Sequence, residues 1–517
     1  MRLNWIAGDD SHRADIEAAV RGQTPTHLLS ETRRRSVFRV DAQPPRDTLP
    51  PPPRVALVLK RFRPRDLPAA LQWAKRATDQ TGAAREWRAL QALASSGIPA
   101  PRPLGWLRDE ESEWIAMTFV EGAPSHEALR GADTRQRRAW IERLGQLIRR
   151  VHAEGICHGD LHLGNLLSDT SGQPILIDWQ QARLRATARD RGRDLASLEF
   201  SFAYHGLGRA CRLRLRRAAL GAPHDTANLL TAGRRTEAFA HDYYRGRTRR
   251  SRTEGSGHTA VDDAMGRGMR SRALSLSALH EAIEAHDLAL DRPRQETVLK
   301  SDERARVTRV TAGGRALVAK EVVKGGLGRK LADPLRGVPA LRGWVGGPGL
   351  VARGIGVARP LAWVDRRGHG GYSLLLMEDV SDQPCLADAP REAIDPEAIL
   401  RLLLALHRRG VDHGDLQASH IFGLEAPRLI DLEGIRFRRR LPDDARLRAL
   451  AELNASLPDS TLPAFDRCAL FQRYAAALPF RRPADAALRE VVRRSHARQH
   501  AWRGTDCSLP GVRSRPR

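Results

Sequence analysis

The chain has little cysteine, no long apolar run and no sequence typical of secretion. Its five cysteines are odd in number and scattered without a CxxC pair, a pattern typical of reduced thiols rather than of a disulfide framework. No stretch approaches the ~18 consecutive apolar residues that a membrane-spanning helix needs. The opening sequence MRLNWIAGDDSHRAD reaches two aspartates before any apolar run forms, so no secretory signal is expected. These absences exclude the disulfide-rich and membrane-spanning classes and predict a cytoplasmic protein.

The charge balance is strongly basic, with 86 Lys and Arg against 61 Asp and Glu and a net charge of +25. Such a field attracts polyanions: nucleic acid, anionic membrane surfaces or phosphorylated substrates. An arginine-rich genome is an equally good explanation of the composition. The chain has no zinc-finger pattern and no basic strip interleaved with aromatic residues, so no nucleic acid is expected as a partner.

At 517 residues the chain is too long for one hydrophobic core, and an internal repeat accounts for the length. Each copy has an apolar strand with one lysine, a GIxxxRPLxW segment, an apolar-periodic helix, a His-Gly-Asp loop and a strand that ends in Ile-Asp. The matching segments are 54–62 with 315–322, 97–106 with 354–363, and 151–184 with 406–437. Two copies of one domain explain this order better than a single large fold.

Residues of the first copy occur in an order that suits transfer of a phosphoryl group, which needs positioning and charge neutralisation more than covalent chemistry. Lys60 can hold the α- and β-phosphates of ATP, and Glu86 on the next helix can pair with it. Asp160 of HGDLHLGN would accept the proton of the acceptor hydroxyl or orient it. Asn165 and Asp178 would bind Mg²⁺. Each residue alone is weak evidence, and the ordered set is far more specific.

The second copy repeats part of this set. Lys320 would contact ATP, Asp415 would be the catalytic residue, and His420 and Asp431 would be the metal ligands. His420 stands where the first copy has Asn165, and a nitrogen ligand suits the hard Mg²⁺ ion poorly.

The second copy also lacks a counterpart of Glu86, because Gly343 aligns with it. The segment RGWVGGPGLVA, with four glycines and a proline, predicts a weak or broken helix. Glu321 or Glu378 could then replace the missing carboxylate beside Lys320. Two readings stay open: a second active enzyme, or a degenerate copy that scaffolds or regulates the first.

Neither copy contains the GxGxxG loop that covers the phosphates in protein kinases. SETRRRSVFRV (30–40) and DERARVTRV (302–310) lie in that place. Backbone N–H groups and an arginine are expected to cover the phosphates there instead.

HGDLHLGNLL and ILIDWQQAR resemble the catalytic and metal motifs of the bacterial lipopolysaccharide core kinases, the Kdo and heptose kinase group of the protein-kinase-like superfamily. HGDLQASHIF and RLRALAELNASLP (446–458) are similar to the heptose-kinase branch. The resemblance covers most of both copies. It implies ATP, Mg²⁺ and O-phosphorylation of a sugar or glycolipid acceptor at the inner membrane, where the basic surface would contact anionic lipid.

The predicted fold is α+β, with two tandem protein-kinase-like bilobal domains, each with a small β-rich N-lobe and a helical C-lobe. The predicted boundaries are 1–245 for the first domain, 246–290 for a basic Gly/Ser-containing linker with a helix over 273–287, and 291–517 for the second domain. The alternatives to a sugar kinase are a protein or small-molecule kinase on the same fold and a scaffold or regulator that contains a pseudokinase.

Overall fold

The structure is a computed structural model that describes residues 3–32, 35–41, 56–63, 74–221, 226–255, 257–322, 338–366, 373–457 and 459–498. The chain is α+β and divides into two compact units, Met1–Ala240 and His241–Arg517. In the described residues, no helix is long and apolar enough to cross a membrane.

The first unit is built on an antiparallel sheet in the order β1-β5-β6-β4-β3-β2, with smaller sheets β10-β9-β7 and β11-β8. The strands are β1 (Asn4–Gly8), β2 (Thr26–Thr32), β3 (Arg35–Asp41), β4 (Ala56–Phe62), β5 (Pro103–Arg108), β6 (Glu113–Thr118), β7 (Gly122–Pro124), β8 (Ile156–Cys157), β9 (Leu166–Asp169), β10 (Pro174–Leu176) and β11 (Arg183–Leu184).

The first helix of the first unit packs in one core with the large sheet, and the later helices pack around a second core. The helices are α1 (Arg13–Val20), α2 (Gly82–Ser95), α3 (Ser125–Gly131), α4 (Thr134–Ala153), α5 (Ala188–Tyr204) and α6 (Arg209–Leu220), with short 3-10 helices at Asp10–His12, Leu163–Asn165 and Trp179–Gln181. Capping boxes begin α4 and α5, where Asp133 pairs with Gln136 and Thr187 with Asp190. The second core joins α2 to the apolar face of α4 and to the fully buried Trp179.

The second unit has a seven-stranded antiparallel sheet in the order β12-β13-β18-β19-β16-β15-β14, with smaller sheets β17-β22-β21 and β20-β23. The strands are β12 (His258–Asp263), β13 (Gly266–Ser271), β14 (Val298–Ser301), β15 (Ala305–Ala312), β16 (Arg315–Val322), β17 (Gly356–Val357), β18 (Pro360–Asp365), β19 (Ser373–Glu378), β20 (Val411–Asp412), β21 (Ile421–Phe422), β22 (Arg428–Leu429) and β23 (Arg436–Phe437).

A helix that contains the division between the units, α7 (Thr226–Arg250), precedes this sheet. The later helices are α8 (Leu276–Asp291), α9 (Pro339–Ala352), α10 (Pro396–Arg408), α11 (Asp443–Ser456), α12 (Ala464–Ala477) and α13 (Ala484–His496), with short 3-10 helices at Arg391–Ala393, Ala418–His420 and Leu432–Gly434. The apolar faces of α10 to α13 form a core of leucines around the fully buried Tyr474.

The two large sheets place their lysines in the same register. Lys60 on β4 lies opposite Val37 of β3 and Ile115 of β6. Lys320 on β16 lies opposite Val307 of β15 and Leu375 of β19. Each lysine therefore belongs to a central strand and points to the same face of its sheet as its counterpart.

The segment 246–290 differs from the predicted linker, because most of it belongs to the sheet and core of the second unit. β12 and β13 form a hairpin, and β13 pairs with β18. A Cβ at Gly268 would lie 1.9 Å from the carbonyl oxygen of Trp363, so this glycine allows close strand approach rather than marking a flexible connection. The helix predicted over 273–287 is α8, whose Leu279 and Ile283 pack against the sheet.

The prediction that the glycine-rich segment forms a weak or broken helix is wrong, because α9 is continuous over Pro339–Ala352 with Pro348 inside it. Its glycines lie where neighbouring residues come close. A Cβ would lie 2.9 Å from the Leu432 carbonyl oxygen at Gly346, 2.4 Å from Pro360 Cδ at Gly347, and 2.3 Å from Phe437 Cζ at Gly349. Close packing thus outweighs the low helix propensity of glycine.

Candidate active site

In the first unit, Lys60, Glu86 and Asp178 meet at one point. The Lys60 ammonium lies 2.6 Å from Glu86 Oε1 and 3.3 Å from Asp178 Oδ1. β4 supplies the lysine, α2 the glutamate, and the turn after β10 the aspartate. Three residues that are far apart in sequence therefore form one buried ion cluster.

Glu86 is fully buried and is held from two sides. Its Oε1 accepts hydrogen bonds from Lys60 and from the backbone N–H of Trp179, which lies 3.2 Å away. Burial raises the pKa of Glu86 because it penalises the charged form, and the attraction of Lys60 opposes that effect. A buried carboxylate is stable only with such partners.

Asp178 is held by an arginine that the sequence analysis did not single out. Arg35 NH1 donates to both carboxylate oxygens of Asp178, at 2.6 and 2.7 Å. Burial alone would raise the pKa of Asp178, but Lys60 and Arg35 outweigh it and hold that pKa below its usual value. Arg35 is the first residue of β3 and lies in the segment expected to cover the phosphates. That position is the sequence signal by which it could have been identified.

The His-Gly-Asp loop is held in place by backbone contacts. Asn165 Nδ2 donates to the backbone oxygen of Asp160 at 2.9 Å, which fixes which amide atom is the oxygen. The Asp194 carboxylate accepts the backbone N–H groups of His158 and Gly159 at 2.7 and 2.9 Å. The Asp160 carboxylate remains about half exposed, at 52%. The loop is thus rigid in its backbone while its aspartate faces solvent.

In the second unit, the counterpart of the lysine cluster is assembled differently. Lys320 forms ion pairs with Asp431 and with Glu433, whose Oε2 lies 3.0 Å from Nζ. Burial lowers the pKa of Lys320, but the two carboxylates outweigh it and raise that pKa. Glu321 and Glu378 are not the partners of Lys320.

Those two glutamates, which the sequence analysis considered as replacements, are engaged elsewhere. Glu321 pairs with Arg366, at 3.3 Å. Glu378 accepts the backbone N–H of Arg359 at 3.3 Å. Sequence reasoning missed Glu433, although its place two residues after the metal-motif Asp431 was a signal.

The loop of the second unit keeps its geometry with a different side chain. His420 Nδ1 lies 3.0 Å from the Asp415 backbone oxygen, so it makes the contact that Asn165 makes in the first unit. A carbonyl oxygen only accepts hydrogen bonds, so Nδ1 donates in this contact, and in the neutral ring Nε2 is then the nitrogen with the free lone pair. That Nε2 lies 3.9 Å from Asp431 Oδ2. Asp415, His420 and Asp431 can each offer one ligand atom, all within 4.8 Å of one another.

The carboxylate that braces the loop also differs between the units. Ala449 aligns with Asp194, and Glu452, one turn later on α11, aligns with Ser197. Glu452 Oε2 accepts the backbone N–H of Leu416 at 3.1 Å. A shared contact fixes this alignment, because Ser201 and Ser456 each accept a backbone N–H of their loop, from Leu163 and Ala418.

Asp178 and Asp431 share an uncommon backbone conformation. Their φ angles are +69° and +56°, in the left-handed region. Aspartate tolerates that region better than most residues, but the conformation still costs free energy. Both units therefore turn sharply at this carboxylate.

The chain belongs to the lipopolysaccharide kinase (Kdo/WaaP) family. Residues 71–220 and 342–474 both match the model of that family, and together they make up more than half of the chain. Each unit contains one match, with Asp160 in the first and Asp415 in the second.

Individual relatives share a shorter region. The 3-deoxy-D-manno-octulosonic acid kinase of Xylella fastidiosa (strain 9a5c) is 35% identical over 124 residues, which is 23% of this chain and 49% of that protein. The protein of that name from Xanthomonas campestris pv. campestris (strain B100) is 33% identical over 151 residues, 28% of this chain and 60% of that protein. The chain thus spans about half the length of the curated relatives it matches.

Proposed function

We propose that the chain is an ATP- and Mg²⁺-dependent kinase that phosphorylates a sugar hydroxyl of the lipopolysaccharide core, with two tandem protein-kinase-like bilobal domains. The observation that carries the proposal is the cluster of Lys60, Glu86 and Asp178 in the first unit, next to a loop that presents Asp160 and Asn165. Family membership and the names of the relatives support the same reaction.

Lys60 would hold the α- and β-phosphates of ATP. Its ammonium is 2.6 Å from the Glu86 carboxylate, which is itself fixed by the Trp179 backbone N–H. A lysine that is held by a buried carboxylate is already oriented when the nucleotide arrives, so less ordering entropy is lost on binding.

Asp178 and Asn165 supply a carboxylate and an amide oxygen, the oxygen ligands that Mg²⁺ prefers. The Asn165 contact with the Asp160 backbone leaves Oδ1 as the metal-binding atom. A bound Mg²⁺ ion would neutralise charge on the phosphates. Asp160, with its exposed carboxylate, would accept the proton of the acceptor hydroxyl.

Arg35 would replace the glycine-rich loop that this chain lacks. Its guanidinium now pairs with both oxygens of Asp178. When a metal ion takes that carboxylate, Arg35 would turn to the phosphates, for which a guanidinium is well suited.

The acceptor would be a Kdo or heptose residue linked to lipid. The relatives are named 3-deoxy-D-manno-octulosonic acid kinases, which favours an acidic sugar. The net charge of +25 favours approach to an anionic lipid surface on the cytoplasmic side of the inner membrane.

The test is transfer of phosphate from radiolabelled ATP to purified Kdo-lipid A by the full-length chain. Asp160→Ala should lower turnover by about 10² to 10⁴-fold, since it removes the proton acceptor. Asp415→Ala shows whether the second unit also transfers phosphate. Glu111→Gln is the matched control, because that carboxylate is 84% exposed.

Loss of transfer in Asp160→Ala alone assigns the chemistry to the first unit. If the wild type hydrolyses ATP through Asp160 but transfers nothing to Kdo-lipid A, the acceptor assignment is wrong and the kinase assignment stands. Equal turnover by Asp160→Ala and Glu111→Gln would overturn the proposed role of Asp160.

A further inference from the structure

Lys320 of the second unit has a carboxylate partner that comes from a different sequence position than in the first unit. Gly343 occupies the helix position of Glu86, so α9 offers no side chain there. Glu433, which follows Asp431 by two residues, places its Oε2 3.0 Å from Lys320 Nζ.

The glycine and the glutamate fit each other in space. A Cβ on Gly343 would lie 3.5 Å from Glu433 Cγ and 3.7 Å from its Cδ, at ordinary contact distance. The same Cβ would lie 2.6 Å from Leu375 Cδ2, so a larger residue at 343 would collide with β19. The Glu433 carboxyl thus lies against the helix where the first unit has the Glu86 side chain.

The first unit shows the reciprocal arrangement. Gln180, two residues after Asp178, stands where the second unit has Glu433, and it carries no charge. Each unit therefore has one glutamate from these two positions, on the helix in one case and after the metal-motif aspartate in the other. The Glu433 side chain is only 11% exposed. A buried carboxylate is destabilising unless it is paired. The ion pair with Lys320 therefore stabilises Glu433 in its buried position.

A second relocation lies in the same unit. The buried carboxylate that braces the His-Gly-Asp loop comes from Glu452, one turn further along its helix than the position of Asp194, and it accepts the N–H of Leu416 rather than those of the His-Gly pair. A unit that no longer bound ligands would have no need to replace both carboxylates. One of these carboxylates contacts Lys320 and the other contacts the His-Gly-Asp loop, so the second unit has a carboxylate at both places.

We propose, on the basis of the proposed function, that the second unit is a second nucleotide-binding site in which Glu433 is the positioning residue for Lys320. It takes the part that Glu86 has for Lys60. The ligand is a nucleoside triphosphate with a divalent cation, held by Lys320 and by Asp415, His420 and Asp431.

The first experiment is equilibrium dialysis of the full-length chain with a non-hydrolysable ATP analogue and Mg²⁺. The wild type should bind two equivalents. Glu433→Gln should weaken one of them by about tenfold or more, because a charge-assisted contact to Lys320 is lost while the side-chain shape is kept. The matched control, Glu425→Gln, removes an exposed carboxylate of the same unit and should leave both sites unchanged.

The second experiment moves the carboxylate in the first unit and does not depend on how Glu433→Gln folds. Lys320→Ala removes binding at the second site, so that only the first site binds nucleotide. In that background, Glu86→Gln should weaken nucleotide binding. Adding Gln180→Glu should restore part of the affinity, since it places the carboxylate where the second unit has it. A residue with a merely structural role would give no such rescue.

The outcomes separate the two proposals. If the wild type binds one equivalent and Lys60→Ala removes it, the second site does not exist while the proposed function stands. If Glu433→Gln behaves like Glu425→Gln, the positioning role is overturned even with two equivalents bound. If nothing binds and no phosphate is transferred, the proposed function falls together with this inference.

Discussion

The two units hold their lysines with carboxylates from different places in the sequence. The first unit uses Glu86 on a helix, and the second uses Glu433 after the metal-motif aspartate. Position-by-position comparison shows a loss at Gly343, whereas the structure shows that a glutamate carboxyl group beside the lysine is kept. What the two units share is the placement of charge in space, because electrostatic interaction depends on distance and not on the element that supplies the group.

One difference between the units is not compensated. Asn165 and His420 make the same contact to the backbone of their loops, but they offer oxygen and nitrogen respectively to a metal ion. The units therefore agree in how they hold the lysine and differ in the side chain at the position proposed to bind a metal ion.

The largest expected effect comes from the loop braces. Asp194→Ala should cut activity of the first unit by about 100-fold or more and destabilise it by about 3 kcal/mol, because the buried N–H of His158 and the part-buried N–H of Gly159 lose a charged acceptor. Glu452→Ala should weaken nucleotide binding in the second unit only. Dialysis and hydrogen exchange of each loop measure both effects. No change in Glu452→Ala would mean that the brace is not replaced.

The next effect concerns the packing of α9. Gly347→Ala should destabilise the second unit by about 1–3 kcal/mol, because its Cβ would lie 2.4 Å from Pro360 Cδ. The control is Gly246→Ala in α7, where no atom lies within 4 Å of a new Cβ. That change should be neutral or stabilise by up to about 1 kcal/mol. Hydrogen exchange of α9 amides in urea measures the difference, and a stabilised Gly347→Ala would contradict the packing argument.

A smaller effect is expected from the proposed metal ligands, where the first unit has Asn165 and the second has His420. The second site should prefer Mn²⁺ to Mg²⁺ more strongly than the first, because an imidazole nitrogen suits transition metals. His420→Asn should reduce that preference on the order of tenfold, and Asn165→His should create it in the first unit. The preference is measured as the ratio of the nucleotide affinity with Mn²⁺ to the nucleotide affinity with Mg²⁺ at each site. Equal ratios before and after the exchange would show that these residues do not bind the metal.

The smallest effect is on acid stability. His407 is buried against the Tyr474 hydroxyl, and burial lowers its pKa to about 3, with Arg446 adding to the effect. The unfolded chain then binds a proton below pH 6.5 that the folded unit does not, so stability falls as pH decreases. From pH 7.5 to 5.5 the loss should be about 1 kcal/mol. His407→Gln should remove this part of the pH dependence in hydrogen exchange, and an unchanged slope would argue against it.

The sequence predicted which residues of the first unit come together, because the ordered motifs specify which strand, helix and turn supply each residue. Lys60, Glu86 and Asp178 come together as the motif order implies, and the α+β class agrees with the repeated pattern of strands and helices. Contacts made by residues outside these motifs could not be predicted from the order of the motifs. Arg35 and Glu433 are such cases, since each is one charged residue among many in a basic chain.

The errors came from local rules that tertiary packing overrides. The glycines of α9 predicted a broken helix, and the polar, basic Gly/Ser-containing stretch 245–259 predicted a linker. In the structure, Gly346, Gly347 and Gly349 of α9 and Gly268 of β13 instead admit a neighbouring backbone or ring at a distance that no side chain would permit. Such proximity is a property of the assembled unit, and no window of sequence contains it.

The left-handed turn at Asp178 and Asp431 bears on whether both units have been kept under selection. Glycine at either position would relieve about 1 kcal/mol of backbone strain, and a single-base change converts an aspartate codon to a glycine codon. A copy released from selection would be free to accept that change. Both units have the more strained residue, as expected if each carboxylate is needed for function.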